Sequence, residues 1–240
     1  MQQYFAKSKD NDILYLNSDD MNHIKNVMRM KENTEIIVVY DDKSYICNLN
    51  KDLLSAKINK VFRDYEENTN FVCYMPLLSE DKMSEILKHG TELGYTEFVI
   101  VQYSHCKYKL KKNDYEKKLI RWNRIVKEAS EQCYRINKPI IQSIIGVDSI
   151  DDKSDVKILC SLDKNNVKHI SEVLTSNNKN DTISIAFGPE GGLSDDEEKI
   201  LVNKGFVKTS LGDNVLRSET VPLYIASVRL YVKGEWLCQI

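Results

Sequence analysis

Ala186-Phe-Gly188-Pro189-Glu190-Gly191-Gly192-Leu-Ser194 leaves a strand-like run at 182–187 and enters about two turns of charged helix. Its glycines allow backbone angles closed to other residues and let a ligand approach the main chain. Pro189 fixes one torsion, and Ser194 with Glu197 spells a capping box that starts the helix. A second strand-like run follows at 206–211. A second loop comes after it, Leu211-Gly212-Asp213-Asn214-Val215-Leu216-Arg217-Ser218-Glu219-Thr220, ahead of an apolar segment from Val221. Two such loops, each leaving a strand and feeding a helix, belong at the carboxyl edge of an open α/β sheet, where ligands sit. Neither G-x-x-x-x-G-K-[ST] nor G-x-G-x-x-G is present, so a nucleotide phosphate is not the obvious guest. On spacing alone, a tight turn with no ligand fits the first loop equally well.

Outward from these loops, strand candidates at 71–75, 98–101, 140–145 and 156–162 alternate with helical patterns. Helices are expected at 79–93, closed by Gly94, and at 113–134. Such alternation implies a mainly parallel sheet covered by helices on both faces. The segment 221–232 is apolar on nearly every side, so a helix there is expected to be buried all round, in a core or a subunit interface. Pro222 is tolerated in its first turn. Residues 1–68 read differently, as a small β-rich unit with one helix. That helix is capped in Ser18-Asp19-Asp20 and has Ile24, Val27 and Met28 at helical spacing. A hairpin is expected from 35–40, the turn Asp41-Asp42 and 44–49. The polar stretch 64–70 serves as linker, with a second domain from residue 69.

The 240 residues carry a formal net charge of −2 and 42% hydrophobic side chains, which suits an ordinary core. The charge is unevenly spread: residues 103–138 hold 11 basic side chains against 4 acidic. Six scattered cysteines, with no C-x-x-C, point to reduced thiols in a cytoplasm and not to a metal site. The N-terminus lacks the apolar core of a signal peptide, and no run reaches the length of a membrane span. A soluble, cytoplasmic, metal-free protein is expected.

In the second loop Arg217 offers a rigid fork of donors suited to a carboxylate, a phosphate or the carbonyls of a base. The competing reading is a structural ion pair with Glu219 or Glu190, and for Glu219 a helix cap. Here the residues carry a resemblance. F-G-P-E-G-G-L-S-x-x-E and L-G-x-x-V-L-R-x-E-T-x-P, with Glu128-Ala-Ser-Glu-Gln132 and Thr91-Glu-Leu-Gly94 upstream, resemble the RsmE family. These are SPOUT-class, trefoil-knotted methyltransferases acting on N3 of a uridine in small-subunit (16S) ribosomal RNA. Met1-Gln-Gln-Tyr-Phe5 and His23-Ile-x-x-Val-x-Arg29-Met30-Lys31 resemble that family's PUA-like N-terminal domain, a small β-barrel.

The resemblance implies a knotted C-terminal domain at 69–240, a homodimer with sites at its interface, and S-adenosylmethionine as cofactor. It implies that Gly188, Glu190, Gly191 and Gly192 form one wall of the cofactor cleft. Leu211, Gly212, Asn214, Val215 and Leu216 would form the other, with Leu162 at the end of an earlier strand. Arg217 and Glu219 would face the base, Arg217 stabilising the anion that forms and Glu219 orienting it or accepting the proton. Ribosomal RNA would lie against Lys107, Lys109, Lys117, Arg121, Arg124 and Arg135, with Arg29 and Lys31 as a second contact. His89 and His105 are expected to be bystanders. Five places depart from the family pattern. Asn214 stands where an arginine is common, and His89 where a lysine usually precedes the T-E-L-G element. Tyr134 replaces a small residue, Asn33-Thr34 replaces a Gly-Asp turn, and Tyr103-Ser-His-Cys106 replaces S-E-R-S. A knotted methyltransferase for another rRNA or tRNA nucleotide, and a non-catalytic RNA-binding assembly factor, are the alternatives.

Overall fold

The computed structural model describes residues 1–64, 69–110, 112–162, 167–176, 178 and 181–234. Packing divides the chain into two units, Met1–Glu67 with Lys127–Lys138, and Asn68–Val126 with Pro139–Ile240. Most of the expected linker lies outside the described residues.

The smaller unit has strands β1 (Gln3–Phe5), β2 (Ser8–Asp10), β3 (Ile13–Tyr15), β4 (Glu35–Tyr40), β5 (Lys43–Leu49) and β6 (Ser55–Arg63), with helix α1 (Ser18–Asn22). They form a barrel-like sheet in the order β1-β4-β5-β6-β3-β2, antiparallel except for β1 on β4. Tyr4, Leu14, Leu16, Ile24, Ile36, Val38 and Cys47 fill its core. The β4–β5 hairpin turns through Asp41 and Asp42, at φ 50° and 56°, with Tyr40 paired to Lys43. Two successive left-handed residues give the turn twist that matches twisted strands.

The expected helical stripe is half correct. Asn17, not Ser18 or the aspartates, stands at the N-cap of α1, without a side-chain capping bond, and the next turn, His23–Val27, is a π-helix. The wider turn breaks the 3.6-residue period, so Ile24 is buried while Val27 and Met28 are 61% and 40% exposed. Asp20 instead goes inward and takes Lys127 at 2.6 Å, and Lys127 also meets Glu131 at 2.7 Å. Two of the departures from the family pattern fall where the backbone is left-handed, Asn33 at φ 64° and Tyr134 at φ 58°. Asparagine tolerates that region, and a small residue is the ordinary choice for it; tyrosine is not. The Tyr134 hydroxyl donates to the Met1 carbonyl at 2.6 Å, a bond that offsets part of the strain.

The larger unit alternates as expected: β7 (Phe71–Pro76), α2 (Glu80–Glu92), β8 (Glu97–Val101), α3 (Lys112–Gln132, its end from Lys127 counted with the smaller unit), β9 (Ile140–Ile145), β10 (Val156–Cys160), β11 (Lys168–His169), α4 (Ile170–Thr175), β12 (Ile183–Ala186), α5 (Asp195–Asn203), β13 (Val207–Ser210) and α6 (Thr220–Lys233). The seven strands are all parallel, in the order β11-β13-β10-β12-β7-β8-β9. The interior strand β7 is buried at every residue, as a two-sided parallel sheet demands. After β12 the chain passes β10 and pairs on its far side as β13. The carboxyl ends of β13, β10 and β12 thus stand side by side.

Helix α6, expected to be buried in a core or a subunit interface, is buried in this chain on its core side. Val221, Pro222, Ile225, Ala226 and Arg229 are buried, yet Ser227 is exposed and Tyr231 is 79% exposed. One chain supplies neighbours for only one side of this helix. Its start is anchored by the Tyr95 hydroxyl, which donates to the Pro222 carbonyl at 2.8 Å. Further along, the Arg229 guanidinium stacks over Phe71 at 5.0 Å and donates to Thr69 at 2.9 Å.

The hairpin turn yields a test. Glycine adopts the left-handed conformation of Asp42 without a Cβ penalty, so Asp42→Gly should raise stability by roughly 0.5–1 kcal/mol. A higher urea midpoint at unchanged slope is the expected result; a lower midpoint would contradict the turn geometry.

Candidate functional site

The loop after β12 is shaped by contacts that only glycine allows. A Cβ on Gly188 would sit 2.9 Å from both Gly192 C and Leu193 N, a backbone collision. Gly192 has φ +73°, and its N–H donates to the Pro189 carbonyl at 2.9 Å. The capping box then forms as the sequence spelled it: the Ser194 hydroxyl accepts from Glu197 N–H, and the Glu197 carboxylate accepts from Ser194 N–H at 2.8 Å. That carboxylate also accepts from the Ser104 N–H at 2.6 Å and its hydroxyl at 3.1 Å. Burial alone would raise the Glu197 carboxyl, but these three donors, with the Ser194 hydroxyl at 3.0 Å as a fourth, outweigh it and hold the group below the usual range. His105 lies against the same loop, with Nδ1 3.2 Å from the Gly192 carbonyl, and its Cβ would be 3.0 Å from one placed on Gly191. The segment after β8 therefore braces the glycine loop, a contact that neither histidine nor serine announces in sequence.

The second loop leaves β13 through Gly212, at φ +121°. Its Ser218 hydroxyl donates to the Gly188 carbonyl at 3.1 Å, tying one loop to the other. The Arg217 carbonyl accepts from Thr220 and Val221 N–H and so closes the start of α6. Between the loops lies a cleft of about 1130 Å³. Every residue expected to hold a cofactor lines it: Leu162, Gly188, Glu190, Gly191, Gly192, Leu211, Gly212, Asn214, Val215 and Leu216. Leu162 and Val215 are 70% and 73% exposed, apolar groups left open to solvent at the cleft. Behind them are Cys160, whose thiol burial pushes up to about 12, and Ser161, which donates to Glu198 at 3.1 Å. Glu198 in turn pairs with Lys208 at 2.6 Å.

Lys82, on α2, was not singled out in the sequence. Its ammonium lies 2.9 Å from Glu190 Oε1 and 2.8 Å from Glu219 Oε2. Contacts with Glu219 and then Glu190 raise its own affinity for the proton. Lys82 lowers the Glu190 carboxyl, and for Glu219 it overcomes the opposing effect of burial. Glu219 stands at the N-cap of α6, yet its side chain makes no capping bond. Since Lys82 takes both carboxylates, Arg217 forms no ion pair among the described residues; it is exposed and lines the cleft. The ion-pair reading of Arg217 therefore does not hold.

The basic run is less free than its charge suggests. Lys118 and Arg121 both engage Glu80, Arg121 at 3.2 Å, and Lys127 is committed to Asp20 and Glu131. Lys107, Lys109, Lys117 and Arg124 are exposed; Lys111 lies outside the described residues. In the smaller unit Arg29 and Lys31 are exposed, Arg29 at φ 52°. Arg135 is half-buried there and donates to the Asn137 carbonyl at 3.2 Å. His89 meets Glu92 at 2.9 Å. Among the described residues, no group of three or more His, Cys, Asp or Glu could hold a metal ion, and no helix is long and apolar enough to cross a membrane.

Comparison with known proteins agrees with this geometry. Residues 65–229 match the family described as RNA methyltransferase domain, and residues 16–59 the RNA methyltransferase PUA domain. The chain is 31% identical to the ribosomal RNA small subunit methyltransferase E of Bacillus subtilis, over 96% of each chain. Its counterpart in Aquifex aeolicus is 27% identical, over 95% of this chain and 98% of that one. Among solved structures, a ribosomal RNA small subunit methyltransferase E of Neisseria gonorrhoeae bound to S-adenosyl methionine is similar. It has a TM-score of 0.82 and 26% identity, covering 96% of this chain and 97% of that one.

Glu197 gives a pH test. Its folded carboxyl is held down, so its contribution to stability is complete above the unfolded value of about 4.3 and is lost as pH falls through the lower folded value. Glu197→Gln should therefore be less stable than wild type near pH 7, and the gap should close below about pH 4. A gap independent of pH would show that the carboxylate charge is not what braces the loop.

Proposed function

The chain belongs to the RNA methyltransferase family of the ribosomal RNA small subunit methyltransferase E type, and we propose that it methylates N3 of a uridine in 16S ribosomal RNA, with S-adenosylmethionine as donor. The observation that carries this reading is the cleft between two loops joined by the Ser218–Gly188 bond, with Arg217 unpaired at its edge. The cleft suits the donor. Its volume exceeds what one such molecule needs, its glycines leave backbone N–H and C=O groups approachable, and Leu162, Leu211, Val215 and Leu216 offer apolar surface to an adenine. The strand order, in which β13 lies beyond β10, supports a trefoil knot that pins both loops.

When bound, S-adenosylmethionine supplies a methyl group on an electron-poor sulfonium. Uracil N3 carries a proton at neutral pH and is a poor nucleophile until that proton leaves. Arg217, exposed at the cleft, donates to the carbonyls flanking N3 and stabilises the anion. Glu219, held as a carboxylate, accepts the proton as the N3–H bond breaks. Alignment of the acceptor in the cleft provides much of the remaining rate. The exposed Lys107, Lys109 and Lys117, with Arg29 and Lys31 on the smaller unit, are the phosphate contacts. Arg121, engaged by Glu80, and Arg135, turned to Asn137, are secondary ones. The half-exposed apolar side of α6 supports a homodimer, and a ribosomal RNA substrate supports a cytoplasmic location.

Nucleoside analysis of ribosomal RNA from a strain lacking the protein tests the assignment. We expect 3-methyluridine to disappear and to return with the wild-type chain; its persistence would favour another rRNA or tRNA nucleotide. Arg217→Ala should lower turnover by about 100-fold or more while cofactor affinity, read by calorimetry, stays within a few-fold. Unchanged turnover would remove Arg217 from the mechanism. Reversing the charges of Lys107, Lys109 and Lys117 should weaken RNA binding and flatten its salt dependence, and an unaltered slope would mean those lysines face only solvent.

A further inference from the structure

Lys82 meets two carboxylates that belong to different loops. Glu190 comes from the glycine loop, Glu219 from the end of the second. The three groups are only partly open to solvent, with 26%, 28% and 10% of their side chains exposed. Among the described residues, Lys82 is the ion-pair partner of Glu219. It sits at the start of α6, where a side chain would ordinarily turn back to the helix N–H groups, and it makes no such bond. One ammonium shared by two carboxylates leaves a net negative charge beside the Arg217 guanidinium, which also acts on Glu219.

We propose that Lys82 is a positioning residue for the methyl transfer: anchored on Glu190, it aims the Glu219 carboxylate into the site. The proposal rests on the function assigned above. Anchoring matters when the proton arrives. Once Glu219 takes the N3 proton it becomes neutral, and Lys82 keeps Glu190 as counter-ion, so no partly buried ammonium is stranded. A lone Lys82–Glu219 pair lacks that safeguard. Glu190 thus serves the chemistry without touching the base, and the wall that holds the donor is coupled to the group that takes the proton. The charged groups facing this cluster are Lys107 toward Glu190 and Arg217 toward Glu219. Both are cations, so neither substitutes for the anchor.

Lys82→Met and Lys82→Arg test the idea in the full-length protein. In Lys82→Met, turnover should fall about 100-fold, with cofactor affinity within a few-fold and the acid limb of the turnover–pH profile moved upward. Lys82→Arg, which keeps a cation on a long stem, should recover much of the loss. Turnover within about threefold of wild type overturns the proposal. So does a loss matched by weaker cofactor binding with an unmoved acid limb, the signature of a loop clamp alone. Carboxyl titration of Glu219 by carbon-13 NMR, without cofactor, gives an independent reading: its midpoint should rise in Lys82→Met, and an unmoved midpoint overturns the proposal. If Lys82→Met unfolds, Lys82→Gln carries the same titration, with the same rise expected. A wild-type chain that leaves ribosomal RNA unmethylated would sink the assigned function, whereas the titration still decides the role of Lys82.

Discussion

A separation of 2.9 Å between an imagined methyl on Gly188 and its own loop governs the architecture of the cleft. That closeness folds the segment back on itself and aims the Gly188 carbonyl outward, where Ser218 takes it. The second loop, and with it the start of α6, is positioned through this bond. The Glu197 carboxylate then holds the whole from behind by accepting from four donors, the N–H and hydroxyl of Ser194 and those of Ser104. Backbone geometry comes first here and side-chain chemistry is hung upon it. Such ordering keeps a constellation rigid on otherwise irregular loops.

The parallel sheet and its order of helices were legible because their signals are local. Buried strands read as apolar runs, and glycines and capping boxes mark where helices begin and end. The two loops were legible as well, since glycines and an isolated arginine in apolar surroundings have few ordinary uses. Three things were not. The π-helical turn at His23–Val27 leaves no mark in composition, so Val27 and Met28 looked like core. The exposed positions of α6, Ser227 and Tyr231, could not be told from its buried ones, because an apolar composition does not say which side faces the core. Lys82 looked like any lysine on an amphipathic helix; its meaning comes from residues 108 and 137 positions away, and no local pattern encodes that.

Charge in this protein is similarly divided between local and distant uses. The run at 103–138 reads as one cationic patch, yet Lys118, Arg121 and Lys127 spend their charge on Glu80, Asp20 and Glu131. The exposed lysines that remain can exchange counter-ions for phosphates, while Lys118, Arg121 and Lys127 stay paired. Conversely, the most consequential cation in the cleft carries no surplus charge at all, since two carboxylates surround it.

Cys160, at the back of the cleft, bears on how such a site survives its own chemistry. A methyl sulfonium reacts with any good nucleophile, and a thiolate is the best one a protein offers. Burial pushes the thiol up to about 12, which favours its protonated form at neutral pH. Burial therefore acts as a chemical guard. A sulfur that lines the cleft is thereby kept in its protonated, less reactive form.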